Sequence, residues 1–124
     1  MKSRRLVSSE SPYEPRVGYS RAVRAGDFVF VSGTVAEGPD AYEQTKGAIA
    51  KIERALLDAE ASLRDVVRTR IFVTNIADWA LVARAHRERF GEIRPACSMV
   101  EVSKLIAPAY VVEIEADAVV AEGC

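Results

Sequence analysis

Hydrophobic and polar positions along this chain follow two periods, one of two residues and one near 3.6, and the switch between them outlines the fold. Residues 4–8 read as a short strand, followed by an irregular loop rich in Ser8, Ser9, Ser11, Pro12, Pro15 and Gly18. From Ser20 the chain alternates towards Val23, breaks at Ala25-Gly26-Asp27 and resumes as Phe28-Val29-Phe30-Val31, the pattern of a hairpin. Asp40 with Glu43 three residues later fits a capping box. Behind it Ala41, Thr45, Ala48, Ile49, Ile52, Ala55, Leu56 and Ala59 form one apolar stripe of a helix. After the connection Ser62-Leu63-Arg64-Asp65, Val67, Thr69, Ile71 and Val73 alternate with Arg68, Arg70 and Phe72 in a half-buried strand over 66–74. Asn75 and Asp78 are candidate caps of a second helix, with Trp79, Val82, Ala83, His86 and Phe90 on its inner face and Gly91 at its end. Residues 97–102 and 111–120 are the last two strands, separated by a loop holding Pro108.

The order strand, hairpin, helix, strand, helix, strand, strand is an α+β fold with two helices on one face of the sheet. Two helices leave the other face open, yet Phe28 to Val31 is apolar on both sides and Phe72 interrupts the polar side of its strand. That face is expected to be covered by copies of the same chain. A length of 124 residues points to a single domain, 1–124. Seventeen Lys and Arg against eighteen Asp and Glu give a formal charge of -1, which offers no field for a phosphate backbone and makes nucleic acid an unexpected partner. The longest apolar runs fall far short of the roughly 20 residues of a membrane helix, so no membrane partner is expected. Residues 1–10 lack the apolar centre of a secretion signal, and the expected location is the cytoplasm. The two cysteines, Cys97 and Cys124, form no framework and read as free thiols.

Candidate chemistry is sparse. The glycine-rich phosphate loops, HExxH and GxSxG are absent, and a single histidine, His86, excludes a multi-histidine metal site within one chain. His86 reads as a packing or interface residue.

Gly18-Tyr19-Ser20-Arg21-Ala22, Gly26-Asp27-Phe28-Val29-Phe30-Val31-Ser32-Gly33, Gln44-Thr45, Ala61 through Thr69, Arg94-Pro95-Ala96-Cys97-Ser98-Met99-Val100-Glu101-Val102 and Val112-Glu113-Ile114-Glu115-Ala116 together resemble the Rid proteins (RidA, also called YjgF). The resemblance spans nearly the whole chain. It implies a chorismate-mutase-like α+β fold and a homotrimer whose sheets form a barrel, with clefts between subunits. In the deaminating members those clefts hydrolyse 2-imino or enamine acids to keto acids and ammonia with no metal or organic cofactor, so the resemblance implies none here. By the same resemblance Tyr19, Ser32, Gly33 and Glu113 fall in the cleft, Tyr19 lining it, Ser32 and Gly33 offering backbone amides and Glu113 positioning water. Each residue also has a plainer reading: a packed tyrosine, a strand-ending turn and a solvated carboxylate.

The resemblance departs at one position. Deaminating members carry arginine directly after Pro-Ala, where its two-pronged guanidinium grips the substrate carboxylate; here the residue is Cys97. Losing those charge-assisted bonds, roughly 1.5 to 3 kcal/mol each, predicts weak or no general 2-imino acid deaminase activity. Arg94, three residues earlier with Pro95 between, has the wrong strand parity to replace it unless a bulge changes that parity. Cys97 itself reads either as a small buried hydrophobe or as a nucleophile activated by Arg68, Arg70 or a neighbouring subunit. The function expected is therefore binding or hydrolysis of a small reactive metabolite of imine or enamine type. The alternatives are a non-catalytic ligand-binding or regulatory trimer and a Cys97-dependent hydrolase, with ribonuclease or translation-inhibitor activity disfavoured by the charge.

Overall fold

The computed structural model describes residues 4–121, so Cys124 lies outside the described residues. Six strands, β1 (Arg4–Val7), β2 (Ala22–Ala25), β3 (Phe28–Thr34), β4 (Val66–Val73), β5 (Ala96–Glu101) and β6 (Val112–Val119), form one sheet in the order β1-β2-β3-β6-β4-β5. All neighbours are antiparallel except β4 and β5, which run parallel because the helix between them carries the chain back across the sheet.

Three α-helices accompany the sheet: α1 (Tyr13–Val17), α2 (Ala41–Asp58) and α3 (Trp79–Phe90). The predicted stripe of α2 is buried at every position from Ala41 to Ala59. Asp40 Oδ1 accepts the Glu43 amide at 2.8 Å; only this half of the expected capping box forms. The complete box lies at Ser62 and Asp65, in the segment read as a plain connection.

Strand alternation sorts the two faces. Val7, Ala22, Val29, Val31, Thr69, Ile71, Val73, Val112, Ile114, Ala116 and Ala118 face the helices and are buried. The residues between them make the open face, where Phe28 and Phe30 stack with centroids 6.3 Å apart while remaining 52% and 48% exposed in the single chain. Leu6 and Val100 are exposed on the same side. Arg70 bridges Glu115 Oε1 and Asp117 Oδ2 there at 3.2 and 3.1 Å.

Three local readings are corrected. The loop after β1 contains α1, held because the buried Glu14 side chain accepts from the Ser9 amide and hydroxyl, while Gly18 in the left-handed region ends the helix. Val67 is exposed, because a bulge between Val66 and Arg68 shifts the alternation and buries Val66 instead. Trp79, at the first turn of α3, is exposed, and the inner face is made by Val82, Ala85 and Phe90 with His86 half-buried beside them. Gly91 ends α3 as expected, as its C-cap at φ -60°, and the left-handed residue of that turn is Arg94, at φ 58°.

Among the described residues no helix is long and apolar enough to cross a membrane. No group of three or more His, Cys, Asp or Glu among them is placed to hold a metal ion.

Candidate functional site

The site begins at an irregularity in β3. Pairing with β6 runs regularly from Phe28↔Val119 to Val31↔Ala116 and resumes at Thr34↔Ile114, so Ser32 and Gly33 together face Glu115 alone. This bulge turns the Ser32-Gly33 backbone out of the ladder. Ser32 Oγ donates to the Ser20 carbonyl at 2.7 Å and its amide to the Arg21 carbonyl at 3.0 Å. The Ser32 amide is thus already used within the fold.

Glu113, near the start of β6, lies on the open face beside its ladder partner Phe72. Its carboxylate sits directly over Gly33: a Cβ built on Gly33 would overlap Glu113 Oε2 and stand 2.9 Å from its carboxyl carbon. Burial pushes the Glu113 carboxyl above its ordinary value, the Glu115 charge pushes it the same way, and Arg21 opposes both. A half-buried carboxylate with a raised pKa is suited to accepting a proton and returning it.

Arg21 is the residue around which the others gather, and sequence reading gave it no role. Its Nη2 donates to the Gly33 carbonyl at 2.7 Å, and its guanidinium carbon stands 5.7 Å from the centre of the Tyr19 ring. Tyr19 and Ser32 line one groove with Glu14, Ser9, Leu6 and Val23, on the open side of β1 and β2. The only available signal for Arg21 was its place within the Gly18 to Ala22 motif.

Cys97 is not brought to this group within one chain. It pairs with Thr69 across the parallel β4–β5 ladder, and laterally paired residues share a face, so it points to the helix side while Glu113 points to the open side. Two strand spacings, across β4, and three ladder positions separate them, roughly 14 Å between Cα atoms at ordinary sheet spacings. The Cys97 thiol is free and exposed in the single chain, against its reading as a small buried hydrophobe. Arg68 and Arg70, considered as its activators, lie on the opposite face, and Arg70 is engaged by Glu115 and Asp117.

Near Cys97 the helix side instead offers Thr69, whose Oγ1 lies 2.9 Å from His86 Nε2. His86 also packs at 4.7 Å on the Phe90 ring, and burial lowers its pKa. Arg94 sits before β5 in the turn after α3, with its Nε on the Gly91 carbonyl at 2.8 Å, so strand parity does not govern it.

The motif residue Gln44 is structural. Buried at the start of α2, its amide nitrogen donates to the carbonyls of Gly38 and Ala109 while its oxygen accepts from the Val111 amide. The segment leading into β6, and so into Glu113, is fixed to the helix layer by these bonds.

Comparison with known proteins adds three findings. The family model described as endoribonuclease L-PSP matches residues 9–120. The crystal structure of Rv2704 from Mycobacterium tuberculosis, a member of the YjgF/YER057c/UK114 family, superposes with a TM-score of 0.94 at 57% identity, covering 95% of this chain and 100% of that one. Among curated relatives, the 3-aminoacrylate deaminase RutC of Acinetobacter baylyi is 32% identical over 88% of this chain and 92% of its own. The 2-iminobutanoate/2-iminopropanoate deaminase of Dermatophagoides farinae is 30% identical over 97% of this chain and 99% of its own.

Proposed function

This chain belongs to the endoribonuclease L-PSP family, which includes the YjgF and RutC proteins, and from that premise we propose that it binds or hydrolyses a small reactive imine or enamine in clefts between the subunits of a homotrimer. The observation that carries the reading is the Glu113 carboxylate, half-buried over Gly33 with its proton affinity raised. Two relatives named as deaminases of a 3-aminoacrylate and of 2-imino acids give the substrate class. The exposed apolar residues of the open face, Leu6, Phe28, Phe30 and Val100, support assembly through that face. Tyr19, Ser32, Gly33 and Glu113 come from one subunit, and Cys97 comes from its neighbour.

An imine carbon is already electrophilic, so the protein needs to hold the substrate, orient a water and manage one proton. Glu113 takes a proton from water as the oxygen bonds to the carbon of the protonated imine and the C=N pair moves to nitrogen, giving a neutral carbinolamine. It then returns that proton to the amine; the C–N bond breaks, the C=O bond forms, and ammonia leaves with the hydroxyl proton. An enamine enters the same sequence once its carbon has been protonated.

Cys97 stands where the deaminating Rid proteins carry the carboxylate-gripping arginine, which makes general 2-imino acid turnover weak. Supplying 2-imino acids with an amino-acid oxidase and following their decay tests this. Unchanged protein is expected to stay near the uncatalysed rate and Cys97→Arg to raise it by roughly 10- to 100-fold. Glu113→Gln in that background is expected to abolish the gain, since an amide takes no proton from water. Robust turnover by the unchanged protein would overturn the weak-activity reading and point to another group, Arg94 first, as the substrate's holder.

A further inference from the structure

We propose that Arg21 is the positioning residue of this site, fixing the Ser32-Gly33 bulge from behind and supplying the positive charge that keeps the Glu113 carboxylate in place over Gly33. The inference deepens the reading of the same site and rests on Glu113 acting there.

Three observations converge on Arg21. Its Nη2 holds the Gly33 carbonyl at 2.7 Å, so the guanidinium is tied to the one backbone unit that Glu113 covers. Its Nε is the one buried side-chain nitrogen or oxygen without a hydrogen-bond partner among the described residues. The guanidinium is therefore only partly used by hydrogen bonds, and its charge acts on the Glu113 carboxylate that lies over the same Gly33. Tyr19 stands beside the guanidinium, 5.7 Å from the ring centre, and restricts where it can swing.

The surroundings of Glu113 leave Arg21 without a substitute. On β6 the neighbouring charge is Glu115, which repels it. On β4 the ladder partner is the uncharged Phe72, and Arg70 is committed to Glu115 and Asp117. Arg21 is the cation that lowers the Glu113 proton affinity against burial and Glu115. Removing that charge favours the protonated acid, and a protonated Glu113 cannot accept a proton from water.

The test is a carbon NMR titration of the full-length protein labelled at glutamate carboxyls, with the Glu113 resonance identified by its loss in Glu113→Gln. In Arg21→Gln the resonance is expected to titrate at higher pH than in the unchanged protein, and in Arg21→Lys, which keeps the charge, to return towards the original midpoint. Arg21→Met serves as a second neutral variant with the same expected displacement as Arg21→Gln. In the Cys97→Arg background the acid limb of kcat/KM moves the same way. An unchanged midpoint in the neutral variants, or a Lys variant displaced as far as they are, overturns the role of Arg21. Absence of imine hydrolysis from every variant would defeat the proposed reaction while leaving the titration to decide this point.

Discussion

Glu113 and Gly33 share one volume: the carboxylate of the first fills the space that a side chain on the second would need. A glycine at position 33 is therefore required by its neighbour and not by its own backbone, which is absent from the positive-φ residues.

Gly33→Ala should consequently leave the fold almost intact, because the group in the way is the end of a flexible side chain. The expected outcome is a Tm within a few degrees of the parent, about 4 °C at most. In the Cys97→Arg background, ammonia release should fall back by the same roughly 10- to 100-fold, to the level of Glu113→Gln. A Gly33→Ala protein with full activity would mean that Glu113 does its work from another position.

The exposed thiol of Cys97 gives a second prediction. A thiol-directed reagent is expected to modify it in the native protein, with peptide mapping separating it from Cys124. Modification only after denaturation would place Cys97 in a closed contact between subunits and end its reading as a nucleophile.

Two shifted groups give stability a pH dependence of opposite sign. The Glu113 pKa is raised in the folded chain, so its contribution is most favourable below the ordinary value of 4.5 and is lost as pH rises through the native value. Glu113→Gln should accordingly raise stability at neutral pH and leave it unchanged at pH 4. The His86 pKa is lowered by burial, so stability is held above 6.5 and lost as pH falls through the native value. Urea titrations of His86→Gln should show less decline between pH 7 and 5 than the parent. A parallel decline in both proteins would remove His86 from the account.

The open face predicts the mass in solution. Light scattering is expected to give about three times 13.6 kDa. Phe30→Lys, placing a charge on the stacked Phe28 and Phe30 pair, should lower that mass towards one chain. A parent protein that remains a monomer at high concentration would sink both the trimer and the cleft built on it.

Periodic elements were legible in the sequence because one buried face repeats along them, as in the α2 stripe and the alternation Val112, Ile114, Ala116 against Glu113, Glu115, Asp117. Elements held by distant contacts were not. Helix α1 depends on Glu14 reaching Ser9, and the inward turn of Val66 depends on a bulge against β6. Tyr19, Ser32, Gly33 and Glu113 were found by resemblance and not by their spacing. The meeting of Ser32 and Gly33 with the strand of Glu113 is set by the register of β3 on β6, which no local pattern contains. Arg21 carries no periodicity at all, and its contact with Gly33 is visible only once β2 and β3 are paired.

The strand order has a consequence for synthesis. β6 is the last strand in sequence, yet it lies in the middle of the sheet, between β3 and β4. Until it docks, β1 to β3 and β4 with β5 are two unconnected ribbons, each with a bare hydrogen-bonding edge and an uncovered row of valine, isoleucine and alanine. A growing chain must shelter the first ribbon from the completion of β3, and the second from the completion of β5, until β6 has emerged. The carboxylate at Glu113 and the docking that completes the sheet then arrive together, so a partly made chain carries no working site.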